Sequence, residues 1–241
     1  MKTIFAVFIC LASFAVSDGQ NKMPLFEAKK YAMITQDQKC ESLTDYLLNC
    51  LRYPEECMKS RDEGTEVLKF TVTSNGELRN FEVVNSVSPE IDDHLTGILK
   101  RTSGMWSPGM KNGIPVNMEK EIAVAFKCSE LGVKALYKNF KNKANANLDK
   151  GIKLMLVKNK PEKALRYFNR GIRYCPYEDC LRLARGLCRF ELGDKTGANE
   201  DFERMTIAGI STDSRVLAEQ MCDLKGYEKL AQILSEREFP R

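Results

Sequence analysis

Residues 66–86, EVLKFTVTSNGELRNFEVVNS, decide how the first half of this chain folds. In residues 66–73, Val67, Lys69, Thr71 and Thr73 alternate with Leu68, Phe70 and Val72, the two-residue period of a strand with one strongly apolar face. Ser74, Asn75 and Gly76 supply a turn, because Asn and Gly accept the positive φ that a tight hairpin requires. Residues 78–86 return as a second strand, so the stretch predicts a β-hairpin.

Helical periods flank it. Residues 43–51, LTDYLLNCL, place Leu43, Tyr46, Leu47 and Cys50 on one face before Tyr53-Pro54 stops the helix. After the hairpin, Ser88-Pro89 opens a helix through Ile91, Leu95, Ile98 and Leu99 that ends near Ser103-Gly104. Turns at Trp106-Ser107-Pro108-Gly109 and Asn112-Gly113 lead into residues 116–126, VNMEKEIAVAF, a third strand. Helix, strand, strand, helix, strand over residues 43–126 is an α+β fold with a three-stranded antiparallel sheet, and Trp106 reads as a core anchor beside its turn.

Tyr53-Pro54, Gly64, the hairpin, Val84 with Ser86, Ile91-Asp92, Trp106-Ser107-Pro108-Gly109 and the run from Asn112 through Phe126 together resemble the TonB C-terminal domain. The resemblance implies a periplasmic module that captures an extended segment of an outer-membrane receptor by adding a strand to its sheet. An exposed sheet edge suits that role, offering unpaired N–H and C=O groups for affinity and alternate side chains for selectivity. The third strand is the candidate edge, with Val116, Met118, Lys120, Ile122 and Val124 as the partner-binding residues. Lys120 and Glu121 read equally well as charges that keep an unused edge from aggregating.

The N-terminus departs from an energy transducer, which needs an inner-membrane helix and a long Pro-rich reach. Lys2, the apolar residues 3–15 and the small-x-small site Ala15-Val16-Ser17 read as a cleaved secretory signal over residues 1–17. Residues 18–42 hold 25 residues with the single proline Pro24 and are expected to be a linker. No later stretch is long and apolar enough to span a bilayer, so no membrane span is expected after signal cleavage. Export also sets the redox context. Cys40, Cys50, Cys57, Cys128, Cys175, Cys180, Cys188 and Cys222 follow the signal, an even set that favours disulfides, with Cys50 or Cys40 to Cys57 and Cys175 or Cys180 to Cys188 as local pairings.

Residues 127–143 read as a connector, and the helical period continues through residues 144–241. Ala164-x-x-x-Phe168 recurs 34 residues later as Ala198-x-x-x-Phe202, each after a short polar break. With Gly151, Gly171 and Pro176 at matching places, this half resembles two tetratricopeptide units, about residues 144–176 and 177–210, and then a weaker helical pair around Gly226 and Ala231. One extra residue lies between Gly151 and Ala164. The resemblance implies an all-α helical-hairpin domain that binds a protein or peptide on the concave face of its first helices. Asn145, Lys150, Arg182, Arg185 and Arg189 are the candidate lining, suited to acidic segments.

Composition excludes much else. With 37 Lys+Arg against 33 Asp+Glu and a hydrophobic fraction of 43%, the chain is neither collagen-like, disordered nor multi-pass, and a net charge of +4 gives no concentrated footprint for nucleic acid. No nucleophile–base pair, Gly-rich phosphate cradle or metal-ligand spacing occurs, and the single histidine, His94, reads as a surface residue. No enzyme activity, cofactor or metal is expected. The expectation is a non-enzymatic periplasmic adaptor that holds an envelope or outer-membrane protein, such as a TonB-dependent receptor, by strand addition and a second partner through helical repeats. The alternative is an energy-transducing TonB-like subunit that keeps residues 1–17 as an anchor; a third is a scaffold whose sheet edge is covered by its own chain.

Overall fold

The computed structural model describes residues 21–28, 41–128 and 132–207, together with the backbone of Ile9–Cys10. The chain divides into two compact units, Met1–Tyr137 and Lys138–Arg241.

In the first unit, strands β3 (Gly64–Val72), β4 (Leu78–Asn85) and β8 (Met118–Phe126) form an antiparallel sheet in the order β4-β3-β8, and the two-residue strand β1 (Ile9–Cys10) lies on the outer side of β8. The hairpin turns where expected. Gly76 adopts φ +79°, and a Cβ there would stand 2.1 Å from the carbonyl oxygen of Trp106, so both its backbone angle and the close approach exclude a side chain. One face of β3, bearing Leu68, Phe70 and Val72, packs with Ile122 and Val124 of β8 against helix α1 (Leu43–Cys50) and helix α3 (Pro89–Lys100). Helix α2 (Glu55–Ser60) lies between α1 and the sheet in sequence. Ser42 and Ser88 cap α1 and α3, each hydroxyl accepting from a backbone N–H in the first turn, Asp45 and Ile91 respectively. These helices supply Leu43, Tyr46, Leu47, Ile91, Leu95, Ile98 and Leu99 to the core, the residues their periods place on one face.

Two features differ from the sequence reading. Residues 116–126 are not one strand. Ile114–Val116 is β7, paired with β6 (Gly109–Lys111) around a turn in which Asn112 and Gly113 take positive φ, and β8 begins only at Met118. Asn117 makes the break, its side-chain oxygen accepting the Ser74 N–H at 2.8 Å. The described part of the expected linker is also built into the domain. Strand β2 (Leu25–Phe26) pairs with β5 (Trp106–Ser107), and Lys22 forms a bridge with Met110. Phe26 thereby enters the core, its ring centroid 5.8 Å from those of Tyr46 and Trp106. Trp106 itself is buried, edge-on to Phe70 at 5.4 Å, with Nε1 donating to Thr102 Oγ1 at 2.9 Å.

The second unit is helical. Helix α4 (Val133–Ile152), within which the division between units falls, takes in most of the expected connector and runs into a π-helical turn, Lys153–Val157; helices α5 (Pro161–Tyr174), α6 (Asp179–Glu191) and α7 (Lys195–Ile207) follow. The repeat has a physical basis in two matching contacts. A Cβ on Gly151 would stand 2.3 Å from the Phe168 ring, and a Cβ on Gly186 would stand 2.5 Å from the Phe202 ring, so each glycine lets a phenylalanine of the next helix close the gap. Ala164 and Ala198 are both fully buried. The extra residue between Gly151 and Ala164 is absorbed in the π-helical turn, where the Lys158 N–H reaches back five residues to the Lys153 carbonyl at 3.2 Å. The pair expected around Gly226 and Ala231 lies outside the described residues.

Candidate protein-interaction site

The candidate edge is built from β8. Its inner side pairs with β3 throughout, from Gly64 opposite Phe126 to Val72 opposite Met118, while its outer side meets β1 through Ile9 opposite Val124 and Cys10 opposite Ala123. The outer edge of β8 therefore holds an antiparallel strand in this structure.

The two-residue period sorts the side chains. Met118, Lys120, Ile122, Val124 and Phe126 share the face carried by Glu66, Leu68, Phe70 and Val72 of β3; Glu119, Glu121, Ala123 and Ala125 take the other. Ile122 and Val124 are fully buried in the core, so at these positions the strand offers its backbone to a partner. Val116, as part of β7, sits opposite Gly109 and is not on this edge. Lys120 lies on the core face and is 7% exposed, its Nζ donating to the carbonyl of Pro24 at 3.1 Å. Burial holds its pKa below the ordinary lysine value.

The end of the strand is pinned. Lys127 Nζ and Glu63 form a largely buried ion pair at 3.0 Å, and the Cys128 N–H donates to the same carboxylate. The Tyr53 hydroxyl donates to the Asp62 carbonyl and accepts from the Cys128 thiol at 3.3 Å. Opposite Val124, Glu66 is fully buried. One of its oxygens accepts the Val87 N–H at 2.8 Å, yet burial, reinforced by the nearby Asp92 charge, pushes its carboxyl up to about 9. Sequence reading passed over Glu66, although its place two residues before Leu68 puts it in the apolar phase of β3.

The five residues proposed for the helical face stand in different surroundings. Asn145 and Lys150 are exposed on α4. Arg182 is buried. Arg185 grips Asp201 with Nε and Nη2, the shortest contact being 2.5 Å, and Arg189 reaches the same carboxylate at 3.1 Å and the Gly197 carbonyl at 2.8 Å. Asp201 is 1% exposed. Arg185 and Arg189 thus join α6 to α7. His94 is likewise not a free surface residue: it is half-buried, its Nε2 accepting the Arg52 N–H at 3.1 Å.

Cysteine bracing is not found among the described residues, where Cys50, Cys57, Cys128, Cys175, Cys180 and Cys188 are free thiols. Three of them face separate partners. Cys57 lies against the Ser88 hydroxyl at 3.1 Å, Cys128 against Tyr53, and Cys188 donates to the Pro161 carbonyl at 3.2 Å. Cys40 and Cys222 are outside the described residues.

Residues 50–128 match the family model of the Gram-negative bacterial TonB protein C-terminal. The match places a TonB C-terminal domain in the first unit, from the end of α1 to the Glu63–Lys127–Cys128 pin. Residues 21–28 and the helical unit lie outside it. No curated protein matches the chain. Among the described residues, no helix is long and apolar enough to cross a membrane.

Proposed function

We propose that this protein is a non-enzymatic exported adaptor of the Gram-negative envelope, whose TonB C-terminal domain holds an extended segment of another envelope protein by adding it as a strand beside β8. The observation that carries this reading is the antiparallel pairing of Ile9–Cys10 with Ala123 and Val124: the outer edge of the matched domain's last strand accepts a strand through backbone hydrogen bonds. On this reading residues 1–17 are a signal removed at export, which vacates the edge for a partner such as a TonB-dependent receptor. The helical unit, with its repeated glycine–phenylalanine contacts, acts as a tetratricopeptide-like module that recruits a second protein, for which Asn145 and Lys150 offer exposed polar contacts.

The test is a titration of the isotope-labelled chain, as recovered from the periplasm, with peptides from the N-terminal segments of TonB-dependent receptors. Amide shifts concentrated along Met118–Phe126 are expected. Binding that leaves those amides unmoved contradicts strand addition.

A further inference from the structure

Among the described residues, no carboxylate balances the charge of Lys120. It is 7% exposed, on the core face of β8 between Phe70 and Ile122, and its one hydrogen bond among the described residues goes to the Pro24 carbonyl. An ammonium has three protons to donate, and a buried cation is costly unless it is paired. Among the described residues, the acidic groups nearby are engaged or turned away. Glu119 and Glu121 project to the opposite face of the sheet, Glu27 accepts from the Ser107 hydroxyl, and Glu66 lies opposite Val124, about 13 Å along the strand at ~3.3 Å per residue.

The edge register locates the missing charge. In an antiparallel strand beside β8, set as Ile9–Cys10 is, one residue stands opposite Val124 and the residue four places further along stands opposite Lys120. Four is an even number of residues, so both side chains point to the core face. Directly opposed side chains in such a pair have Cβ atoms about 4.5–5.5 Å apart, within reach of an Asp or Glu carboxylate for the lysine Nζ. The surroundings there are apolar, which strengthens a well-made ion pair.

We propose that the β8 edge selects an extended segment with an apolar residue opposite Val124 and a carboxylate side chain four residues later, opposite Lys120. This rests on the strand-addition reading and adds to it the chemistry of the partner.

The test uses the chain purified from the envelope fraction and three host decapeptides of Thr, Val and Ala. Each has Val at the first position, and Glu, Gln or Lys four residues after it; affinity is read by fluorescence anisotropy and site by amide shifts. The Glu peptide is expected to bind about tenfold or more tightly than the Gln peptide, as a close charge pair of about 1.5 kcal/mol or more requires. The Lys peptide is expected to bind weakest, and Lys120→Met to erase the Glu–Gln difference. Equal binding of Glu and Gln peptides to the unaltered chain, with β8 amides shifting, overturns the charge selection while strand addition stands. Peptides that bind without shifting β8 amides, or do not bind, overturn both. The comparison of peptides on the unaltered chain decides the matter even if Lys120→Met does not fold.

Discussion

The Phe168 ring closes directly over Gly151, leaving a Cβ on that glycine only 2.3 Å from ring carbon Cε1, and Phe202 stands over Gly186 in the same way. Alanine favours a helix over glycine by about 1 kcal/mol, whereas overpacking a filled site costs about 1–3 kcal/mol. Gly151→Ala and Gly186→Ala are therefore expected to destabilise the helical unit by up to about 2 kcal/mol in urea melts followed by circular dichroism. Gly97 in α3 meets nothing within 4 Å of an added Cβ, so Gly97→Ala is expected to stabilise the first unit by about 0.5–1 kcal/mol. The chain's single tryptophan, Trp106, reports on that unit alone.

Asp201 is the hub of the α6–α7 pair. Removing it leaves Arg185 and Arg189 without their shared carboxylate, and breaking a buried ion pair by deleting one partner costs about 3–5 kcal/mol. Asp201→Ala is expected to lose that much by the same melts. A change below about 0.5 kcal/mol means that these arginines do not brace the helices.

Glu66 and His94 give the first unit a pH dependence of opposite signs. Glu66 has its carboxyl raised to about 9, so its contribution is fully present below the ordinary carboxylate range and is lost as pH climbs toward 9, at most ~1.4 kcal/mol per pH unit. His94 is lowered, by burial first and then by Arg101 and Arg52, so its contribution is present above the ordinary histidine value and is lost as pH falls below it. Trp106 fluorescence melts across pH 5 to 9 check both, and Glu66→Gln is expected to flatten the alkaline loss and raise stability at pH 8. An unchanged slope contradicts the buried-acid account.

Two buried thiols, Cys57 and Cys188, are predicted to react slowly. Burial pushes Cys188 up to about 11 and raises Cys57, and only the thiolate is the nucleophile. In the folded chain at pH 8 Cys188 is expected to alkylate with iodoacetamide about a hundredfold more slowly than in denaturant, and Cys57 also more slowly than in denaturant. Mass mapping of the label reads this directly. Both sites must label without prior reduction once unfolded; a requirement for reductant would show them oxidised.

Strong periods made the core of the first unit readable from sequence. Leu68, Phe70 and Val72 on one strand face, and Ile91, Leu95, Ile98 and Leu99 on one helix face, are long patterns that tertiary context reinforces. The strand Leu25–Phe26 escaped notice because two residues show no alternation, and its partner residues in Trp106–Ser107 lie 80 and 82 positions further along the chain. The break at Asn117 escaped because the apolar pattern runs through it; a side-chain bond to Ser74 ends the strand there. In the helical unit the Ala-x-x-x-Phe period showed the repeat, but Asp201 was hidden. Charge alone shows Arg185 and Arg189 as a basic face, and only the sixteen-residue offset from Arg185 to Asp201, shared by Gly186 and Phe202, points to a contact between neighbouring helices.

Strand addition at β8 is tested most directly by amide hydrogen exchange on a chain that begins at Asp18, with and without a receptor N-terminal peptide. Without the peptide, the outward amides between Met118 and Phe126, including the Ala123 and Val124 segment that β1 covers, are expected to exchange rapidly. At saturating peptide they are expected to slow, while the inward amides paired with β3 stay protected throughout. Outward amides that remain fast with the peptide bound would contradict the account.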